Sequence, residues 1–448
     1  MGGKAMRNPW FGLLLGLFLQ LAASGVFAAL PIQHWQTANG AQVYFVENHD
    51  LPLLDVSVEF AAGSGRDAPS RAGLASLTRH MLSLGAGGLS EDEISRRLAD
   101  VGAVLGGGFD PDRAGVGVRT LSSERERTQA LGLLARILQQ PDFPAAALER
   151  EKARVIAAIK EAQTQPESIA EKAFLAALYG GHPYAQQPAG EVETVAALQR
   201  QDVADFYRRH YTANNAVVAL IGDVSRAQAE AIAVQLTDGL PRAAAPLSPL
   251  PEVAPLVAAE TRRIPHPATQ SHILIGAPGM RRGDPDYFPL YVGNYILGGG
   301  GFVSRLTENV REKRGLAYSV YSYFVPLQQN GPFQIGLQTK KAQADEALEI
   351  VRATLRDFVA KGPTEAELEK AKQNLVGGFP LRLDSNKKIL EHLAVIGFYR
   401  LPLTYLDDFT GNVEKVKVAD IRDAFARRIR PENMVTIVVG APAESGGQ

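Results

Sequence analysis

"GLASLTRHMLSLG", residues 73–85, decides how this chain is read. Leu74, Leu77, Met81 and Leu84 recur with the period of a helix that buries one stripe, so the spacing predicts an amphipathic helix. Ser76, Arg79, His80 and Ser83 fall on the other side. Positions 76 and 80 are one turn apart and project together. Two histidines so placed can share one zinc ion, and a glutamate beside the second can deprotonate a metal-bound water. This helix carries one histidine, with a serine one turn earlier and an arginine just before it.

The surroundings of this helix recur later in the chain. "LPLLDVSVEFAAGSGRDAPSRAGLA" from Leu51 parallels "SHILIGAPGMRRGDPDYFPLYVG" from Ser271: an apolar strand, a Gly/Arg/Asp turn, then a helix. "ALEREKARVIAAI" from Ala147 matches "AELEKAKQNLVGG" from Ala366, and "FYRRHYTANNAVVALIGD" from Phe206 matches "FARRIRPENMVTIVVGA" from Phe425. An offset that stays near 220 residues implies duplicated domains rather than a short-period solenoid. The segment "LPRAAAPLSPLPEVAPLVA", residues 240–258, is rich in Pro and Ala and has no amphipathic period, which predicts a linker. Strands at 43–47, 53–60 and 216–221 are separated by helices near 125–140, 145–163 and 167–178. Strands and helices do not alternate strictly. The expected class is therefore α+β: two tandem homologous domains, 29–240 and 259–445 around a linker at 241–258, each a mainly antiparallel sheet with helices packed on one face.

Composition narrows the function. The 448 residues include 47 Lys+Arg and 48 Asp+Glu, a balance that argues against a nucleic-acid surface or a polybasic membrane patch. There is no cysteine, so disulfides and thiol catalysis are excluded. The basic "KAMRNPW", the apolar "FGLLLGLFLQLAA" at 11–23 and small residues at Val26 and Ala28 read as a signal peptide cleaved after Ala28, with a retained membrane anchor as the other reading. The expectation is export, to the periplasm in a Gram-negative host, without stable membrane association afterwards.

"RAGLASLTRHMLSLGAG", together with the duplication, resembles the M16 (pitrilysin-type) peptidases, whose zinc helix carries the inverted motif His-x-x-Glu-His. The resemblance spans nearly the whole mature chain and implies the M16/LuxS-like metallohydrolase fold, shaped as a half-clamp. It sets the first histidine at Ser76, the catalytic glutamate at Arg79 and the second histidine at His80, which is retained. On the later helix, Glu151 matches the first residue of the family's Glu-x6-Glu pattern and Ala158 falls at the ligand position. Zinc catalysis needs three protein ligands and an open position for water. One imidazole cannot hold the ion, and an arginine cannot act as the base. Glu161 stands about 4.5 Å further along the helix than Ala158 and does not replace it. Arg79 is expected to pair with Glu151 or Glu161 and fill the vacated site.

"LGGGGFVSRLTENVREKRGLAYSVYSYF", residues 297–324, reads as a Gly run, a helix at 303–313, a stop at Gly315 and a strand at 317–324. Arg311 and Tyr318 resemble the family's Arg/Tyr pair, which can hold a scissile carbonyl and its oxyanion and needs no metal of its own. Gly298–Gly301 lacks the pattern of a phosphate or dinucleotide loop. Gly299 and Gly300 are read as letting a peptide backbone approach. "VGAVLGGGFDPD", residues 101–112, reads as a Gly-rich edge strand, and the resemblance implies that Gly106, Gly107 and Gly108 pair with extended substrate. His182 reads as structural; His34, His49, His210, His266, His272 and His392 show no metal-pair spacing. The resemblance thus implies a non-catalytic subunit without a cofactor, whose M16 partner carries His-x-x-Glu-His and zinc, and whose substrates are peptides. Two other readings stay open: an assembly or peptide-binding subunit without a part in proteolysis, and an autonomous hydrolase with a rebuilt metal site.

Overall fold

The β-branched and apolar runs that frame the duplicated segments become two sheets. The computed structural model describes residues 30–243 and 245–441; the leader read at 1–28 lies outside them. The first sheet contains β1 (Gln33–Gln36), β2 (Gln42–Glu47), β3 (Leu53–Phe60), β4 (Val104–Gly106), β5 (Ala114–Leu121) and β6 (Ala216–Gly222), in the order β1-β2-β6-β3-β5-β4. The second contains β7 (Glu260–Pro265), β8 (Gln270–Pro278), β9 (Ala317–Phe324), β10 (Pro332–Lys340) and β11 (Val435–Ala441), in the order β9-β10-β8-β11-β7. The order β2-β6-β3-β5-β4 of the first sheet matches β7-β11-β8-β10-β9 of the second, and β1 is an addition at the edge of the first. In each, the last strand runs parallel to one neighbour, β6 to β2 with Gln42 opposite Val217 and β11 to β7 with Glu260 opposite Val435, and every other pairing is antiparallel. The edge strands β4 and β9 occupy equivalent places.

The helices that position the rest include α1 (Leu74–Met81), α2 (Glu124–Gln139), α3 (Ala145–Ala162), α4 (Pro166–Tyr179), α5 (Arg226–Thr237), α6 (Ala344–Lys361), α7 (Glu365–Gly377), α8 (Asn386–Tyr399) and α9 (Val418–Arg428). In β3, Leu54, Val56, Val58 and Phe60 point into one core with Leu74, Leu77 and Met81 of α1 and Leu131 and Leu134 of α2. Strand alternation sends Asp55, Ser57 and Glu59 to the opposite face.

That opposite face is covered from the other half of the chain. Helix α8 crosses β2, β3 and β6, while α4 of the first half crosses β8 and β11 of the second sheet. Phe174 and Leu178 of α4 share a core with Leu274, Val435, Ile437 and Val439. Gly276 makes this possible, because a Cβ there would run into the Phe174 ring and the Phe333 carbonyl. Burying one such phenylalanine contributes about 2–3 kcal/mol, so the exchanged helices bind the halves strongly. The described residues from Ile32 onward pack as one unit.

A single carboxylate reinforces this exchange. Asp112, 1% exposed, precedes β5 and accepts hydrogen bonds from Tyr184 Oη, from Tyr399 Oη at the end of α8 (2.8 Å) and from the Gln328 backbone N–H in the β9–β10 connection (2.6 Å). The Gln329 N–H donates in turn to Tyr184 Oη (3.2 Å). Burial pushes the Asp112 carboxyl up from its ordinary range, against the pull of these three donors. Replacing Asp112 with Ala leaves two hydroxyls and an amide unsatisfied at the junction. We expect a loss of about 3–5 kcal/mol, read as a lower urea midpoint; Asp112→Asn, which keeps an acceptor, should cost less.

Candidate functional site

The chain approaches α1 through Asp67, whose carboxylate accepts from the backbone N–H of Gly73 (2.9 Å) and Ala75 (2.8 Å) and so caps a helix whose own N-cap is glycine. Burial pushes this carboxyl up to about 7, against hydrogen bonds from Ala75, Gly73 and Leu74. Leu74, Leu77, Met81 and Leu84 are buried as their spacing required, and Ser76, Arg79 and His80 lie half-exposed.

His80 meets α3. Its Nε2 lies 3.0 Å from Glu151 Oε2 and 3.3 Å from Arg154 Nη2, the latter in hydrogen-bond geometry. Arg154 Nε also donates to Glu151 Oε2 (2.6 Å), and Arg150 reaches both Glu151 Oε1 (3.3 Å) and Glu91 Oε2 (2.6 Å). Burial would raise the Glu151 carboxyl, but the Arg154 hydrogen bond, the His80 charge and Arg150 outweigh it and hold the group below its ordinary value. Arg154 was not among the residues singled out from the sequence. Its signal was the i, i+3 spacing from Glu151.

Arg79 makes neither of the expected ion pairs. Its Nε donates to the Gly115 carbonyl (3.2 Å) and its Nη2 to the Gly107 carbonyl (2.6 Å), away from Glu151 and Glu161. Arg150 and Arg154 already satisfy Glu151, and Glu161 is exposed. The arginine at the catalytic position is therefore a tie, fastening the glycine-rich end of β4 to β5. Near it on β3 lies Glu59, 3% exposed, whose Oε1 accepts from Ser57 Oγ (2.6 Å) and whose Oε2 lies 3.8 Å from Arg113 Nη1. Burial raises its carboxyl, opposed chiefly by the Arg113 charge.

These residues do not fit zinc. The imidazole nitrogen that would bind the ion faces a guanidinium, Arg79 brings a second positive charge, and Ala158 is exposed and has no donor. Among the described residues no group of three His, Cys, Asp or Glu side chains converges as a metal site.

The edge strand is shorter than read. β4 covers Val104–Gly106 rather than most of 101–112, because Gly107 turns to φ +131°, a conformation open to glycine that leaves the strand path. Gly106 and Gly108 face open space. His182 is structural: Nδ1 accepts from the Tyr184 N–H and Nε2 donates to the Pro251 carbonyl.

In the second half, 303–313 is not one α-helix. A 3-10 turn at Gly301–Val303 leads into a π-helix at Thr307–Glu312, Gly299 and Gly300 lie at the end of the preceding π-turn, and Gly315 (φ +62°) stops the segment. Four successive glycines offer little helix propensity, so the chain enters this turn from an irregular path. Arg305 then anchors it to α7, donating to Glu367 Oε1 (2.7 Å) and Oε2 (2.8 Å). Those bonds hold the Glu367 carboxyl down at about 2. The result brings Arg311 and Tyr318 together. The guanidinium carbon lies 5.1 Å from the Tyr318 ring centre and 4.8 Å from that of Phe302. Tyr318 sits where the β9–β10 register shifts, and is 83% exposed; Phe302 is 72% exposed.

A duplicated α+β clamp whose metal helix has exchanged its ligands for an arginine-rich network defines a class: a metallopeptidase fold without metallopeptidase chemistry. Family comparisons place it. Residues 43–191 match the model described as Insulinase (Peptidase family M16), and residues 197–375 match that described as Peptidase M16 inactive domain. The structure of a peptidase M16 inactive domain from Pseudomonas fluorescens is 37% identical, covering 92% of this chain and 98% of that one, with a TM-score of 0.89. The Non-peptidase homolog YmxG of Helicobacter pylori is 27% identical over 93% of this chain and 95% of its own length. The periplasmic protease PqqL from Escherichia coli shares the fold at 15% identity and a TM-score of 0.78, over 97% of this chain but 51% of that one. The chain belongs to the M16 peptidase family, as an inactive member that carries no zinc.

Two outcomes test this geometry. Arg79→Ala should speed amide hydrogen exchange at Gly107, Gly108 and Gly115 and cost about 1–3 kcal/mol of stability, since two carbonyls lose a charged donor. Ser76→His, Arg79→Glu and Ala158→Glu together should restore little zinc by metal analysis until Arg154→Ala is added, which frees the His80 nitrogen.

Proposed function

We propose that this chain is the non-catalytic subunit of a heterodimeric M16-type zinc peptidase. It comprises two M16-like units, 29–240 and 259–445, and is exported to the periplasm by its leader. A homologous partner brings His-x-x-Glu-His and zinc. This chain brings half of the chamber wall, the β4 edge for extended peptide, and Arg311 with Tyr318 as hydrogen-bond donors to the scissile carbonyl.

The observation that carries this reading is the Arg311–Tyr318 contact. A chain that had lost all part in catalysis would have no use for a cation held between two exposed rings on a segment anchored by Arg305. The exposed Phe302, Val303 and Tyr318 give the same region the apolar surface that a partner would cover. PqqL supports the architecture: this chain spans about half of that protease, as expected if a working enzyme needs two clamps. No helix among the described residues is long and apolar enough to cross a membrane.

The chain should be mixed with an exported M16 homologue that has an intact zinc motif, and peptide cleavage followed. Arg311→Ala with Tyr318→Phe should lower kcat by about 10²–10³-fold while the partner's zinc content stays constant. Unchanged turnover would instead favour an assembly subunit, and cleavage by the isolated chain that chelators abolish would favour a rebuilt metal site.

A further inference from the structure

A cavity of about 1210 Å³ lies beside β4 on the sheet face that α8 only partly covers. Its floor is Asp55, Ser57, Glu59 and Arg119 from β3 and β5, and β4 with Gly106–Gly108 forms one rim. Across it stand Arg282, Arg382 and, from α8, Lys387.

The charges on the two sides are not equivalent. On the floor, Asp55 is held by Arg119 through two hydrogen bonds (2.7 and 3.1 Å), and Arg113 serves both Glu59 and Asp110. Lys388 on the far wall is taken by Asp384. Arg282, Arg382 and Lys387 take part in none of the ion pairs seen among the described residues. The two guanidiniums lie against rings instead: Arg282 5.3 Å from the Tyr399 ring centre, and Arg382 5.6 Å from that of Tyr291. Arg282 Nε is buried without a hydrogen-bond partner. His392 lies among them, and burial followed by the charges of Arg382 and Arg282 holds it below the ordinary imidazole range. The wall is thus cationic, and within it Glu391 is the carboxylate that lines the cavity.

A peptide paired to the free edge of β4 would send every second side chain to this face of the sheet, over the cavity. We propose that the cavity is a subsite for acidic side chains of such a peptide, with Arg282, Arg382 and Lys387 receiving the carboxylates. The substrate class is then extended segments with Asp or Glu at alternating positions. Fork-shaped guanidiniums suit carboxylates, and a half-enclosed cavity screens the charges less than open water does.

This inference rests on the peptide-binding reading above, and the test separates the two. The purified chain is titrated with two short acetylated, amidated peptides carrying a neutral dye. They are identical Val/Thr/Ala sequences with glutamate in one and glutamine in the other at alternating positions. Fluorescence anisotropy should show the glutamate peptide binding about tenfold more tightly at low salt, with the margin shrinking at high salt. Arg382→Gln with Lys387→Gln, both at exposed positions, should remove the margin without moving the thermal midpoint; Arg282→Gln should do the same where it folds. Equal affinity for the two peptides, or a margin that survives the double substitution, overturns the acidic subsite and leaves peptide binding standing. Failure of both peptides to bind overturns both.

Discussion

The junction between the two halves depends on one buried carboxylate and two exchanged helices. Asp112 collects donors from Tyr184, from Tyr399 and from the β9–β10 connection, segments that lie far apart in the chain. Each sheet also lends a helix to its counterpart, α4 to the second and α8 to the first. Where β2 and β6 are buried and apolar on both faces, as at Tyr44, Val46, Val217, Ala219 and Ile221, neither face can be left in water, and the half that owns the sheet covers one. The exchange packs the two halves as one unit, and its geometry sets the cavity beside β4, because α8 packs on β2, β3 and β6.

The lost metal site has become a structural network. In place of a zinc ion there is a set of guanidinium, imidazole and carboxylate groups on α1 and α3, with Glu151 at its centre. Arg79, at the position that would carry the base, instead ties down the glycines at the end of β4. A charged donor on two backbone carbonyls fixes that edge more firmly than a catalytic carboxylate could, since a carboxylate accepts and cannot donate to a carbonyl. The change that removes the chemistry also orders the edge on which a peptide would lie.

Much of the altered site was legible before any coordinates. The periodicity of Leu74, Leu77 and Met81 separated the buried from the open side of α1, and helix geometry alone put residues 76 and 80 together. The family resemblance, with its separation of seven positions, marked Arg311 and Tyr318 as a pair, although the π-helix that carries Arg311 was not foreseen. Partner choice was not legible. Arg79 had two plausible carboxylates by sequence and took neither, because Arg150 and Arg154, on the same helix as Glu151, reach that carboxylate first. Glu59 carried only the weak signal of strand alternation in "LLDVSVEF".

By itself, the sequence determined the class of fold, the duplication and, through the family resemblance, the loss of ligand side chains at positions 76 and 158, because these follow from periodicity, fixed offset and the donor atoms that side chains possess. The strands at 43–47, 53–60, 216–221 and 317–324 came within a residue of their bounds for the same reason, and the Gly-rich edge strand did not. Only the tertiary structure decided which half covers which sheet, where Arg79 points, and that unpaired cations gather across a cavity from the β4 edge. Those facts depend on contacts between residues hundreds of positions apart, and the free energies that select among such contacts are carried by burial and geometry rather than by any local pattern.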